Sequence, residues 1–442
     1  MTPPAPPSHL ATSSTAPEHD TARPATAMPP LDAWMHRQQS HGGSTMTAAL
    51  LAWFEGPPPT LSALRSSVAF RLAPFERLRQ MPGAAGPADG GWPRWSTGPH
   101  FEAAHHIVES PDAASTELEV DIAALFTAPL DPCRPPWQLH LIPTTGGFVL
   151  LFRAHHALLD GRSIATLLRA LFDEKDALRP PRVGGPAPAD TPSRTRRLAW
   201  ALGDLLPKAR PLPFHGPVDP HRVLCFCPVP RKELDAARAS LRSDASADRA
   251  SANAVFLSAT AGALRNLGVA GRPLPALPGI CALVPVDVRA DGESQLLGNH
   301  YATVRVPLPQ QRDARARLGA VDAFIRRAAI GARARAQAAV VSSRPRKITP
   351  LGNAAGRYVD SPRYFSLLCS SVSTHAGDLT LGSARLTKMA AVPPLGPGHP
   401  LAVTAIHHGS TSVVTAVTDH NHRDLARPLA EGIRDEIRLL AH

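Results

Sequence analysis

The apolar run Phe148-Val149-Leu150-Leu151-Phe152 leads into His155-His156-Ala157-Leu158-Leu159-Asp160-Gly161, and this junction constrains the chain more than any other stretch. The run reads as a strand, and Ser163 to Phe172 (SIATLLRALF) reads as a helix with apolar residues at helical spacing. Paired histidines at a strand end, followed by an acid and a glycine, can present one imidazole to a cavity while the acid braces the local backbone. Neutral imidazole is the usual protein base near pH 7, so the pattern suggests proton abstraction. Two other readings remain open at this point: paired histidines packed and hydrogen-bonded within a strand, or part of a metal site.

The rest of the chain supplies the frame. At 442 residues with 43% hydrophobic content, it is long enough for two domains or one large bipartite unit. Its formal charge of +11 comes almost wholly from arginine, a usage that also follows from a GC-rich genome. No aromatic-interleaved basic stripe or DNA-binding motif accompanies it, so nucleic acid is not an expected partner. The charge suits phosphate-bearing donors or an anionic membrane surface. Five cysteines without a CxxC pair point to a reduced, cytoplasmic setting. No segment approaches ~18 uninterrupted apolar residues, so no transmembrane helix is expected.

Residues 1–29 are rich in Pro, Ala, Ser and Thr and read as a disordered tail, with order beginning at Pro30 and Asp32 capping a short helix. Met46 to Phe54 suits a buried strand, a helix starts at Thr60 or Ser62, and Leu118 to Leu130 holds a second helical stretch. Trp137 to Ile142 and Phe148 to His155 read as a hairpin turning at Gly146-Gly147. Residues 30–178 therefore form a first unit. Residues 179–215 follow as a Pro/Gly-rich linker and a basic helical segment, Arg196 to Lys208, and residues 216–442 form a second unit. The basic segment reads as a surface helix with an apolar face in preference to a membrane contact.

FRAHHALLDGRS, with its HHxxxDG motif, resembles the active-site strand of the coenzyme A-dependent acyltransferase superfamily, which includes chloramphenicol acetyltransferases and peptide condensation domains. Further blocks in order are similar to its wax ester synthase/diacylglycerol acyltransferase branch: PLDAWM, WFEGPPPTLSALRSSVAFRL, APLDPCRPPWQLHLI, Asn253, VPVDVR at Val284 to Arg289, and Gly298-Asn299. This resemblance implies an α/β fold of two chloramphenicol-acetyltransferase-like subdomains, with a tunnel between them and a histidine at its middle. It implies an O-acyltransferase that moves an acyl group from acyl-CoA or a carrier-protein thioester to an alcohol or amine. The expected partners are therefore the acyl thioester donor, the acceptor, and a carrier protein where the donor rides on one. No cofactor and no metal are expected. The alternative is a catalytically silent homologue that binds lipid or carrier.

By the same resemblance His156 is the general base, and His155, on the opposite side of the strand, is a packed residue. Asp160 would pair with Arg289 across the two subdomains, and Gly161 would supply a turn conformation forbidden to other residues. Asn299 would either donate to a developing oxyanion or cap a strand end. Trp137 is assigned to the substrate-binding wall or the core, and Asn253 to a supporting role or a helix cap. Ala254 stands where the branch carries Asp, Pro136 replaces the Leu of Pro-Leu-Trp, and Ser370 to His375 is a degenerate form of the Asn-Val-Pro-Gly-Pro block. His399, His407, His408, His420 and His422 show neither HxHxDH nor HExxH spacing and read as ordinary structure, the last two in a loop.

Overall fold

In the computed structural model, two sheets pack face to face, and the adjacent strands at the middle of the first sheet alternate in which core they face. The structure describes residues 25–174 and 193–442, apart from 43–44, 84, 86–89, 99–100, 111–117, 194, 196–198, 201–202, 204–205, 207–208, 215, 242–248, 271–278, 291, 294 and 375–376. Its strands are, in chain order, β1 (Thr26–Ala27), β2 (Thr47–Glu55), β3 (Gln80–Gly83), β4 (Arg94–Thr97), β5 (Ile107–Glu109), β6 (Trp137–Thr144), β7 (Gly147–His155) and β8 (Asp173–Glu174). There follow β9 (Arg222–Pro230), β10 (Cys281–Asp287), β11 (Tyr301–Pro307), β12 (Leu367–Ser373), β13 (Leu379–Leu381), β14 (Ala384–Val392), β15 (Leu401–His408) and β16 (Thr411–Asp419).

The first lobe is a seven-stranded sheet in the order β5-β6-β7-β2-β14-β13-β8, and the second a six-stranded sheet in the order β11-β10-β12-β15-β16-β9. In β2 and β7 the even-numbered residues Leu50, Ala52, Phe54, Phe148, Leu150 and Phe152 face the first lobe's core, with the helices Leu61–Leu72 and Gly161–Leu171. The odd-numbered Ala49, Leu51, Val149 and Leu151 pack against Leu224, Ala402 and Val417 of the second sheet. A strand covered on both faces has no polar side, which is why Phe148 to Phe152 reads as an unbroken apolar run. Each such leucine contributes about 1.5–3 kcal/mol by leaving water.

The β6–β7 hairpin turns where the glycines stand. Gly146 has φ +79°, and a Cβ on Gly147 would lie 2.0 Å from the Phe54 carbonyl oxygen of β2, so both positions require glycine. In the second lobe the helix Ala252–Asn266 is buried on nearly every side, and Ser251 caps it through a bond from the Ala254 N–H.

Four features depart from the sequence reading. The chain is already structured ahead of Pro30, since β1 pairs with β4 and Met28 is fully buried. Asp32 lies inside the first turn of the helix Pro30–Gly42 rather than at its cap, and its carboxylate points into the molecule. The lobes are not consecutive in sequence: β13 and β14, from the second half, complete the first sheet, β14 pairing antiparallel with β2. His420 and His422 lie in a short 3₁₀ turn (His420–Leu425) rather than a free loop. The linker and the basic segment Arg196 to Lys208 fall almost wholly outside the described residues.

Candidate active site

Strand β7 ends at His155, and the chain then turns so that His156 lies at the seam between the lobes. The His155 N–H donates to the Pro136 carbonyl at 2.9 Å and the His156 N–H to the Met46 carbonyl at 2.7 Å, so neighbouring strands fix both backbones. The helix Gly161–Leu171 begins directly after the turn. Asp160 is its N-cap, accepting from the Ser163 N–H at 2.7 Å.

The two rings have different surroundings. His155 is buried, its Nδ1 accepts the Ala157 N–H at 3.0 Å, and burial with His36 and His156 nearby pushes its pKa down to about 3. Its ring is packed inside the strand-end turn. His156 is half-buried, and burial lowers its pKa from the ordinary histidine value, opposed by its own carbonyl, Asp160, Asn299 and Asp32. Its Nδ1 lies 3.1 Å from Asn299 Oδ1.

The partners of Asn299 decide the histidine tautomer. Asn299 Nδ2 sits 2.7 Å from the His156 carbonyl, 3.1 Å from the Ala157 carbonyl and 3.0 Å from Asp32 Oδ1. Three acceptors surround that atom, so it must be the amide nitrogen, and Oδ1 must face the ring. The Nδ1 of His156 therefore carries the proton and donates, leaving the lone pair on Nε2. Among the described residues Nε2 makes no hydrogen bond.

Two ion pairs hold the turn. Arg289 Nη2 lies 2.9 Å from Asp160 Oδ2 and 3.0 Å from Oδ1, with side chains only 3% and 6% exposed. The same guanidinium reaches the Gly298 and Leu296 carbonyls, and His300 N–H donates to Asp160 Oδ2 at 3.1 Å. Asp160 thus ties the segment carrying Asn299 to the strand-end turn. Beneath it, Arg77 donates to Asp32 at 2.5 Å, to the Ala157 carbonyl at 2.9 Å and to the Leu158 carbonyl at 2.8 Å, and its guanidinium covers the Trp95 ring.

The structure brings His156, Asp160, Arg289 and Asn299 together. It moves three other expected site residues. Gly161 does not have positive φ and is simply the first residue of the helix, where an added Cβ would meet nothing. Trp137 is 1% exposed, stacked between His106 and Phe152 with its Nε1 donating to the Leu78 carbonyl, and belongs to the core rather than a substrate wall. Asn253 is not the helix cap, a place Ser251 takes, and its buried Oδ1 has no hydrogen-bond partner among the described residues. Asn299 has its amide engaged below the ring, which leaves no N–H for an oxyanion. Sequence reasoning missed Asp32 and Arg77 as site residues; the one signal was a carboxylate inside the apolar segment Pro-Leu-Asp-Ala-Trp-Met. It also missed Tyr301, whose ring centroid lies 5.9 Å from that of His156.

A histidine at the join of two sheet-and-helix lobes defines a class of fold. The structure superposes on a wax ester synthase/diacylglycerol acyltransferase from Marinobacter aquaeolei with a TM-score of 0.65, at 17% identity, covering 94% of this chain and all of that one. It superposes on the first condensation domain of the calcium-dependent antibiotic synthetase with a TM-score of 0.68, at 14% identity, covering 95% and 96%. At these identities the likeness is one of fold, two chloramphenicol-acetyltransferase-like subdomains.

Sequence carries it further. Residues 28–267 match the wax ester synthase/diacylglycerol acyltransferase catalytic domain, and the chain belongs to that family. A Mycobacterium tuberculosis protein named as a probable diacylglycerol O-acyltransferase is 32% identical over 136 residues, a match spanning 29% of this chain and 29% of that relative. A second from the same organism is 29% identical over 365 residues, 72% of this chain and 70% of that one.

Proposed function

We propose that the protein is an O-acyltransferase that moves an acyl group from a thioester donor, acyl-CoA or a carrier protein, to a hydroxyl or amine acceptor, with His156 as general base. The observation that carries this is the tautomer of His156: Asn299 accepts the Nδ1 proton, so Nε2 presents a lone pair held neutral by burial. An acceptor X–H within hydrogen-bond reach of Nε2 gives up its proton as X attacks the thioester carbonyl. The tetrahedral intermediate then collapses and expels the thiolate, which takes the proton back from the imidazolium as free thiol. No cofactor enters the scheme, because the reactive group arrives on the donor. Placing the base at the seam of two lobes suits two substrates approaching from opposite sides, oriented and shielded from water.

The family's name points to long-chain alcohols or diacylglycerol as acceptors. Three departures in this chain, Ala254, Pro136 and the Ser370 to His375 block, support a different acceptor of specialised metabolism while leaving the base unchanged. No helix among the described residues is long and apolar enough to cross a membrane.

Thiol release from candidate acyl-CoA and carrier-protein donors, mixed with alcohols and amines, tests the proposal. His156→Ala should lose about 10²–10⁴-fold in rate while remaining folded. Full turnover by that variant removes the base. Donor binding without turnover in the native protein favours the silent homologue.

A further inference from the structure

Acyl transfer needs a second group besides the base, a donor for the oxygen that becomes negative when the thioester carbonyl is attacked. Asn299 was the sequence candidate, but its Nδ2 is held by Asp32 and two backbone carbonyls. The role is therefore open, and a neutral donor close to His156 is required to fill it.

From the structure we infer that the Tyr301 hydroxyl is that donor. Tyr301 is the first residue of β11, immediately after the His300 and Asn299 that hold the site. In this strand Ala302 and Val304 pack inward against Val286 and Ala334 of their own lobe. The pleat turns Tyr301 to the opposite face, and its ring packs on the core of the first lobe, across the seam. There it meets the His156 ring edge-on, with centroids 5.9 Å apart and planes at 61°. Among the described residues the phenol hydroxyl has no hydrogen-bond partner. Burial pushes the phenol pKa further up, with Asp160, Asp32 and Asp360 acting in the same direction, so the group stays a donor throughout the working range of a histidine base.

The inference rests on the acyl-transfer reading. In the step it describes, X attacks the carbonyl carbon and the C=O π pair moves onto oxygen, while His156 Nε2 takes the proton from X. Tyr301 donates a hydrogen bond to that oxygen and keeps its own proton. As the C=O bond re-forms, the C–S bond breaks and the thiolate leaves with the proton from the imidazolium. Tyrosine is chemically unchanged at the end.

Tyr301→Phe keeps the ring and removes only the hydroxyl. The expected result is a fall in kcat of about 10²-fold, with KM within about twofold and an unchanged melting temperature. An unchanged kcat, or a change confined to KM, overturns the inference and leaves Tyr301 as wall. A second arm does not depend on turnover. Acyl-CoA labelled with ¹³C at the thioester carbonyl, bound to His156→Ala, should show a carbonyl stretch moved to lower frequency by the hydrogen bond. Adding Tyr301→Phe should return it towards the free value. Thiol release that persists in His156→Ala sinks the base alone, whereas a carbonyl frequency indifferent to Tyr301 sinks the donor alone.

Discussion

Asn299 grips His156 at both ends, its Oδ1 3.1 Å from the ring Nδ1 and its Nδ2 2.7 Å from the same residue's carbonyl. A side chain that bonds both the ring and the backbone of one residue fixes the ring's rotation and its tautomer together. The proton sits on Nδ1 because nothing else can lie between two acceptor-rich surfaces in this order.

Replacing Asn299 should therefore impair the base without abolishing it. Asn299→Ala frees the ring to rotate and to place its proton on Nε2. A loss of at least about tenfold in kcat is expected, short of the 10²–10⁴-fold lost with the imidazole itself. Asn299→Asp puts a carboxylate beside the ring and favours the imidazolium, so the acid limb of the kcat/KM profile should move to higher pH. An acid limb that stays where it was would show that Asn299 does not touch the proton of His156.

The Asp160–Arg289 pair makes a separate prediction because Asp160 has two roles, ion-pair partner and helix cap. Asp160→Ala removes both, and a loss of about 3–5 kcal/mol for the broken buried pair, with about 1 kcal/mol more for the cap, is expected in urea unfolding. Asp160→Asn keeps the cap and removes the charge, so it should recover the cap contribution alone. Equal losses in the two variants would mean that the cap contributes nothing. Both should also lower activity, since the segment bearing Asn299 hangs from this pair.

How much of this was legible in the sequence follows from how far each contact reaches. His155, His156 and Asp160 stand within one strand–turn–helix unit, and local apolar spacing was enough to place them. The β6–β7 hairpin was legible for the same reason, with glycines marking a turn that tolerates no side chain. Arg289 was found only through family resemblance, 129 residues from its partner. Asp32 looked like a cap because caps are local; its real partners, Arg77 and Asn299, lie 45 and 267 residues away. The insertion of β14 beside β2 could not be read either. An alternating apolar strand does not state which sheet it joins, and β14 had a whole second sheet of its own half to choose from. Gly161 was misread because glycine after aspartate marks a turn in one context and a helix start in another.

The lobes also meet through the helices Pro30–Gly42 and Pro350–Val359, where Trp34 lies on Gly356. A Cβ at position 356 would stand 1.9 Å from the Trp34 ring. An indole cannot yield by a rotamer of its far end, so Gly356→Ala should displace it and loosen the neighbouring Arg37–Asn353 bond, now 2.9 Å. The expected cost is about 1–3 kcal/mol, read as a lowered melting temperature. Gly352→Ala, on the same helix, meets only the Thr349 hydroxyl at 2.9 Å and should cost less. Equal effects at the two positions would show that the Trp34 contact is not what matters.

Stability should fall on the acid side for a reason unrelated to catalysis. Burial lowers the pKa of His140, His399 and His407 to about 4 and of His155 to about 3. A depressed folded pKa means that the unfolded chain takes up the proton first. The stabilisation is thus complete above pH 6.5 and is lost as pH falls from there towards 4. Each histidine contributes a slope of about 1.4 kcal/mol per pH unit in that window. Asp360, pushed up to about 7 by burial, acts in the opposite sense and offsets one of the four. These five groups together contribute about 4 kcal/mol per pH unit, so a stability of about 5–15 kcal/mol is exceeded within a few units. Acid unfolding followed by far-UV circular dichroism should accordingly be steep, with a midpoint above pH 3. His399→Gln should shallow it by about one proton, measured as proton uptake across the transition. A protein that keeps its fold at pH 3, or whose proton uptake ignores His399, would mean that these rings reach water more easily than their packing indicates.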